Sequence, residues 1–120
     1  MDRSKTPPFL VRLFYRLNEH NPIAEYSASN TPDAELVVYA WPDTFLRELA
    51  ELVKDVVEEA KGRHAKLGFR LVYLDVDGRP VHVDLGIVSN TTRGYVDTRT
   101  LSHLKFQTGD FIDVAVYVGS

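Results

Sequence analysis

ELVVYAWPDTFLRELAELVKDVVEEAKG, residues 35–62, reads as two elements joined by a proline, and this junction decides the fold. From Glu35 to Trp41 every residue but the first is apolar or aromatic, and Val37, Val38, Tyr39 and Trp41 are strand formers. Pro42 lacks an N–H and stops the ladder. Beyond it, Phe45, Leu46, Leu49, Leu52, Val53, Val56, Val57 and Ala60 recur at spacings of three and four, which predicts an amphipathic helix. Asp43 or Thr44 is the expected cap, and Gly62 is expected to end the helix in a left-handed conformation. Arg47, Glu48, Glu51, Lys54, Asp55, Glu58 and Lys61 form its solvated face.

Upstream, Val11, Leu13 and Tyr15 alternate with Arg12 and Arg16, so Phe9 to Leu17 is expected to be a half-buried strand. Asn18 to Asp33, with Pro22 and Pro32, is a long loop. Downstream, residues 68–76 and 81–86 read as a hairpin around Asp77-Gly78. Ser89 to Thr100 is a second long polar loop, and a last strand follows Gly109-Asp110 over residues 111–118. The order β-β-α-β-β-β predicts an α+β fold of the ubiquitin-like β-grasp kind, a mixed sheet of four to five strands with one packed helix and the first and last strands central. The expected organisation is a lead over residues 1–8 and one domain over 9–118.

The 120 residues are 44% hydrophobic, enough for one core. Against 14 Lys plus Arg stand 17 Asp plus Glu, and a net charge of −3 speaks against a broad sequence-independent grip on nucleic acid. The absence of cysteine excludes disulfides, thiolate metal sites and a cysteine nucleophile. Apolar runs fall far short of the ~20 residues of a membrane span, and the start has no signal-peptide core, so a soluble intracellular protein with no membrane partner is expected. His20, His64, His82 and His103 lie in separate segments without metal-ligand spacing. His82 with Asp84 lacks a nucleophile, and Asp75-Val76-Asp77-Gly78 lacks the remaining ligands of a calcium loop. Asn90-Thr91-Thr92 matches a glycosylation acceptor but reads better as a polar loop. No phosphate cradle, nucleophile elbow or paired-acid motif occurs, so no catalytic residue, metal or cofactor is expected.

The notable feature is an aromatic surplus on the sheet. In strand two, Leu36, Val38 and Ala40 share one parity and Val37, Tyr39 and Trp41 the other, whereas a sheet carrying one helix needs only one apolar face. Phe14 falls beside Arg12 and Arg16, and Phe111 and Tyr117 fall with Asp113. Aromatics rimmed by arginine suit a protein-binding surface. The alternative is that the long loops fold over this face; Tyr26 and Tyr95 sit in those loops, so cover and partner site could be one surface. The candidate partner-binding residues are Tyr39, Trp41, Phe14, Arg12, Tyr26 and Tyr95.

Asp2-Arg3-x-Lys5-Thr6-x-Pro8, Glu35-Leu36-x-x-Tyr39-x-Trp41-x-Asp43 running into Leu46-x-Glu48-Leu49-x-x-Leu52-Val53-Lys54-x-Val56, and Thr100-Leu101 with Lys105-Phe106-Gln107-x-Gly109-Asp110-x-x-Asp113-x-Ala115 resemble the eighteen-kilodalton Sin-three-associated polypeptide family, whose members are ubiquitin-like nuclear proteins. The Tyr-x-Trp pair is the specific part, since the fold does not require it. The resemblance implies a non-enzymatic subunit that binds a segment of Acinus, or pinin in its place, together with the serine-rich-domain RNA-binding protein, beside the exon junction complex in splicing. It also implies a link to the Sin-three histone deacetylase corepressor and a nuclear location, in nucleoplasm and speckles, with a cytoplasmic pool as a further expectation. Three other readings compete. Conjugation as a modifier needs a terminal Gly-Gly where this sequence reads Val118-Gly119-Ser120, and a small hydrolase would rest on His82 and Asp84 alone. Auxiliary RNA contact through Arg63, Lys66, Arg70, Arg93 and Arg99 is the third.

Overall fold

The computed structural model describes residues 1–119 and contains five strands, β1 (Phe9–Leu17), β2 (Glu35–Ala40), β3 (Lys66–Leu74), β4 (Pro80–Ser89) and β5 (Phe111–Tyr117), with one helix, α1 (Leu46–Val56). Short 3-10 turns occupy Ile23–Glu25, Glu58–Lys61 and Tyr95–Thr98. The strands form one sheet in the order β2-β1-β5-β3-β4, with β1 and β5 parallel and every other pair antiparallel. This is the mixed α+β sheet expected of a β-grasp, with β1 and β5 inside it.

The helix stripe explains the packing. Leu46, Leu49, Ala50 and Val53 are buried, and Val57 and Ala60 continue the stripe past the helix end. They meet Val11, Leu13, Leu67, Phe69, Leu71, Ile112, Val114 and Val116, the residues of one parity on three neighbouring strands. Leu52 and Val56 lie outside the stripe and are exposed. The caps differ from expectation. The residue before the first helical one is Phe45, whose side chain makes no capping bond; Leu46 N–H donates instead to the Arg99 carbonyl at 3.0 Å, and Thr44 Oγ1 accepts from Trp41 N–H at 2.8 Å. A loop carbonyl thus does the work of a cap. At the other end Val57 is already extended, and Gly62 has φ −55°, so no left-handed stop is used there.

The hairpin strands reach beyond the expected bounds, β3 beginning at Lys66 and β4 running to Ser89. Their register shifts between Phe69 and Arg70, opposite Gly86 at φ +136°. An added Cβ on Gly86 would stand 2.9 Å from both Val96 methyls, so the bulge is where the 95–98 turn closes against β4.

The sheet face away from α1 has its own small core. Phe14, Tyr26, Val72 and Phe111 are buried there with Ile23 against them. Phe14 meets Tyr26 edge-on at 5.5 Å and Phe111 at 5.7 Å, while Tyr26 and Phe111 are 5.4 Å apart. The cover is the loop between β1 and β2. It is tied down on Asp113, a carboxylate on β5 that is 1% exposed. Asp113 accepts from Asn21 Nδ2 at 2.8 Å, Asn21 N–H at 3.3 Å, His20 Nδ1 at 2.6 Å and the Tyr26 hydroxyl. Four donors on one buried carboxylate replace the water it loses.

Candidate partner-binding surface

Both ends of the sheet are edges, and the two are treated differently. On β2, Tyr15 N–H donates to the Ala34 carbonyl, which makes that directly opposite pair hydrogen-bonded. Antiparallel pairs alternate, so Leu36, Val38 and Ala40 bond to β1 while the N–H and C=O groups of Glu35, Val37 and Tyr39 point off the sheet. No bond to these outward groups occurs among the described residues. On β4, the bond from Asp75 N–H to the Arg79 carbonyl puts Pro80, His82 and Asp84 outward. Pro80 has no N–H, the bulge follows, Arg99 Nη1 donates to the Leu85 carbonyl at 3.3 Å, and Arg47 Nη2 donates to the Ser89 carbonyl at 2.7 Å. A proline, charged side chains and a bulge are the ordinary means of blunting an edge. β4 has all three, whereas β2 has only the charged Glu35 at its first position.

The surroundings of β2 are apolar. Tyr39 is 65% exposed and stands opposite Leu10, 52% exposed, with Val37 at 49% one step along the same face. Toward α1 lies a groove of about 530 Å³ lined by residues that include Tyr39, Trp41, Phe45 and Leu52. Its far end is closed by the lead. Trp41 Nε1 donates to the Thr6 carbonyl at 2.8 Å, and the Arg3 guanidinium lies 4.9 Å from the Trp41 ring. Arg3 pairs with Glu48 at 3.1 Å and Asp43 at 2.9 Å, and these two carboxylates, Glu48 foremost, raise the Arg3 pKa from its already high value. The specific Trp is therefore half-buried, with its N–H satisfied and Arg3 over its ring, and is not a free indole.

The other sequence candidates go to different places. Arg12 bridges the open face, its guanidinium 5.1 Å from the Phe14 ring and 5.5 Å from Phe111, and bonds Glu35 Oε1 at 3.2 Å. That arginine holds the Glu35 carboxyl below its usual pKa. Phe14 and Tyr26 are buried in the second core, so the aromatic face expected to stand open at these positions is covered by the 18–34 loop, and neither ring is on the surface. Burial, then the bond to Asp113, pushes the Tyr26 phenol far above the usual range. Tyr95 is exposed, but its turn packs against α1 and β4, across the sheet from β2. Tyr39, Trp41 and Arg12 thus share the β2 side, and Tyr95 does not.

Sequence reasoning missed Leu10, Leu52, Val56 and Arg3. A signal existed for Leu52 and Val56: with Leu49, Val53, Val57 and Ala60 they make an apolar stripe wider than one sheet face covers. Arg3 stood out only in the lead segment that carries the family resemblance, and its role stayed hidden because its partners lie 40 and 45 residues away.

The model of the Sin3 associated polypeptide p18 (SAP18) family matches residues 1–116. Among similar proteins, the probable histone deacetylase complex subunit SAP18 of Caenorhabditis elegans is 39% identical over 125 residues, covering 100% of this chain and 75% of its own length. The histone deacetylase complex subunit SAP18 of Homo sapiens is 38% identical over 118 residues, 97% of this chain and 77% of its own length. That of Arabidopsis thaliana is 37% identical over 120 residues, covering 98% and 79%. With a match that takes in β1, the Tyr-x-Trp junction, the helix and all of the sheet but its last residue, the chain belongs to the Sin3 associated polypeptide p18 family.

Proposed function

We propose that this chain is a non-enzymatic subunit of a histone deacetylase corepressor assembly and that it works by taking an extended segment of a partner as a sixth strand on β2. The unblunted β2 edge carries this reading: three residues with unpaired backbone groups, flanked by Tyr39, Val37 and Leu10, opposite an edge that is guarded. Relatives named as histone deacetylase complex subunits support the assembly. The finer reading is that the segment belongs to Acinus or pinin, with the serine-rich-domain RNA-binding protein as a further partner, in an exon-junction-associated splicing complex of the nucleus.

The test uses proline as a probe. In Val37→Pro the lost N–H points off the sheet, so the fold survives; in Val38→Pro the lost N–H belongs to the β1 ladder, so the fold fails. Titrating an Acinus segment should shift the Tyr39 amide and Trp41 indole in the parent chain. Val37→Pro, which removes one donor and leaves a partner carbonyl unsatisfied, should weaken binding by about 1–3 kcal/mol, a factor of roughly 5–150. Unchanged affinity in a folded Val37→Pro variant would exclude strand addition at this edge. A pinin segment that binds while Acinus does not would keep the mode and change the partner.

A further inference from the structure

We propose that a second site, on the sheet face away from α1 at the β4 side, binds single-stranded nucleic acid, taking one base into a depression beside Gly68 and phosphates on Lys66, Arg63 and Arg93. This site lies across the sheet from β2 and stands independently of strand addition there.

On β3 the parity away from α1 reads Lys66-Gly68-Arg70, two cations flanking a gap. In the neighbouring strands Gly68 is opposite Ile87 on β4 and Ala115 on β5, and Lys66 is opposite Tyr117. Beside Gly68 lies a depression of about 300 Å³, lined by His20, Gly68, Arg70, Asp84, Ile87 and Tyr117 among others. Two rings close in on it: a Cβ on Gly68 would stand 3.2 Å from Tyr117 Cε2 and 3.3 Å from His20 Nε2. These rings fill the space above Gly68 itself, and the depression between them and exposed Ile87 is the place offered to a planar base, since aromatic stacking holds bases without sequence preference. His20 is held in place because Asp113 engages its Nδ1, which leaves Nε2 turned toward Gly68 and available to a base. Asp84 engages the Nε of Arg70, and the two terminal guanidinium nitrogens of Arg70 have no partner among the described residues.

The phosphate side adjoins it. Asn90 Nδ2 donates to the carbonyls of Ala60 at 2.9 Å and Gly62 at 2.7 Å, and Asn90 N–H donates to Ala65. These bonds hold Asn90, three residues before Arg93, against the corner that bears Arg63 and Lys66. None of the three cations has a carboxylate within ion-pair reach among the described residues, a state they share with Lys5, Arg79, Arg99 and Lys105. An acidic chain thus keeps an uncompensated basic corner beside a stacking pocket.

The test is fluorescence anisotropy of a labelled 12-nucleotide oligouridylate and its deoxy counterpart with the whole chain. Three phosphate contacts on a single strand give a slope of log affinity on log salt of about −2, so affinity should fall roughly 20-fold from 50 to 200 mM salt. The double variant Lys66→Glu, Arg93→Glu should weaken binding at least tenfold and flatten the slope. Ile87→Asp, an exposed position, should weaken it again, and amide shifts should gather on His20, Gly68, Ile87 and Tyr117. Preference for the ribo or the deoxy strand would name the natural ligand within the proposal. No saturable binding at 50 mM salt would overturn it. So would full affinity in Ile87→Asp, or displacement of the strand by an oligoglutamate peptide with the same amide shifts, which would make the corner a dock for acidic protein segments.

Discussion

Replacing Tyr26 by Phe isolates the bond that ties the 18–34 loop to the sheet. The ring stays, with its contacts to Phe14 and Phe111, and only the hydroxyl donor to Asp113 is lost. Asp113 keeps three donors, from His20 and Asn21. A hydrogen bond to a buried charge contributes about 1.5–3 kcal/mol, so the variant should lose about 2 kcal/mol. For a chain of this size that is roughly 8 °C in Tm, or about 1 M in the urea midpoint if m is near 2 kcal/mol/M. The pH dependence gives a second readout, of the buried phenol as a whole. Burial and the Asp113 bond raise the folded phenol's pKa, so the folded protein keeps its proton where the unfolded chain, with an ordinary value near 10.0, releases it. The stabilisation is fully present below about pH 10 and is lost as pH rises further. The parent's advantage over Tyr26→Phe should therefore shrink by about 1.4 kcal/mol per pH unit above 10. Urea melts of both proteins at pH 7, 10 and 11 provide the measurement. Equal stability at pH 7, or a gap that does not narrow with pH, would refute the role given to Asp113.

Gly86→Ala should destabilise by about 1–3 kcal/mol, since it adds both a strained φ and a methyl against Val96. Adding Val96→Ala should recover the steric part alone, which a thermal melt of the double variant reads directly. Arg47→Ala strips donors from buried Asp97 and from the Ser89 carbonyl, and should cost about 3–5 kcal/mol in chemical denaturation. Arg47→Met combined with Asp97→Asn, which leaves no uncompensated charge, should cost less than the single change.

Periodicity carried the elements because each depends on neighbours in sequence. The alternating Val11, Leu13 and Tyr15 and most of the predicted stripe, Leu46, Leu49, Val53, Val57 and Ala60, lie in the core between helix and sheet as expected, while Leu52 and Val56 of the same stripe are exposed. Parity also assigned Phe14, Phe111 and Asp113 to the opposite face. What lies over that face depends on Tyr26 meeting Asp113 across 87 positions, and no local pattern encodes such a meeting. The caps failed for the same reason: Leu46 is capped by the carbonyl of Arg99, far along the chain. Tyr39 and Trp41 were singled out by an excess the fold did not need, but the fact that β2 is the unguarded edge comes from comparing it with β4.

The parallel pairing of β1 with β5 bears on how the chain is made. β5 lies in the middle of the sheet, joining the β2-β1 pair to the β3-β4 pair, and its residues from Phe111 to Val116 are buried on both faces. Until those residues leave the ribosome, the nascent polypeptide consists of two hairpin-like halves with no strand between them, and the apolar stripe of α1 has only part of its floor. Folding during synthesis is therefore gated by the arrival of one late heptapeptide. A stalled or prematurely terminated product lacking it would display two unpaired inner strand edges, a state that chaperones and proteases recognise.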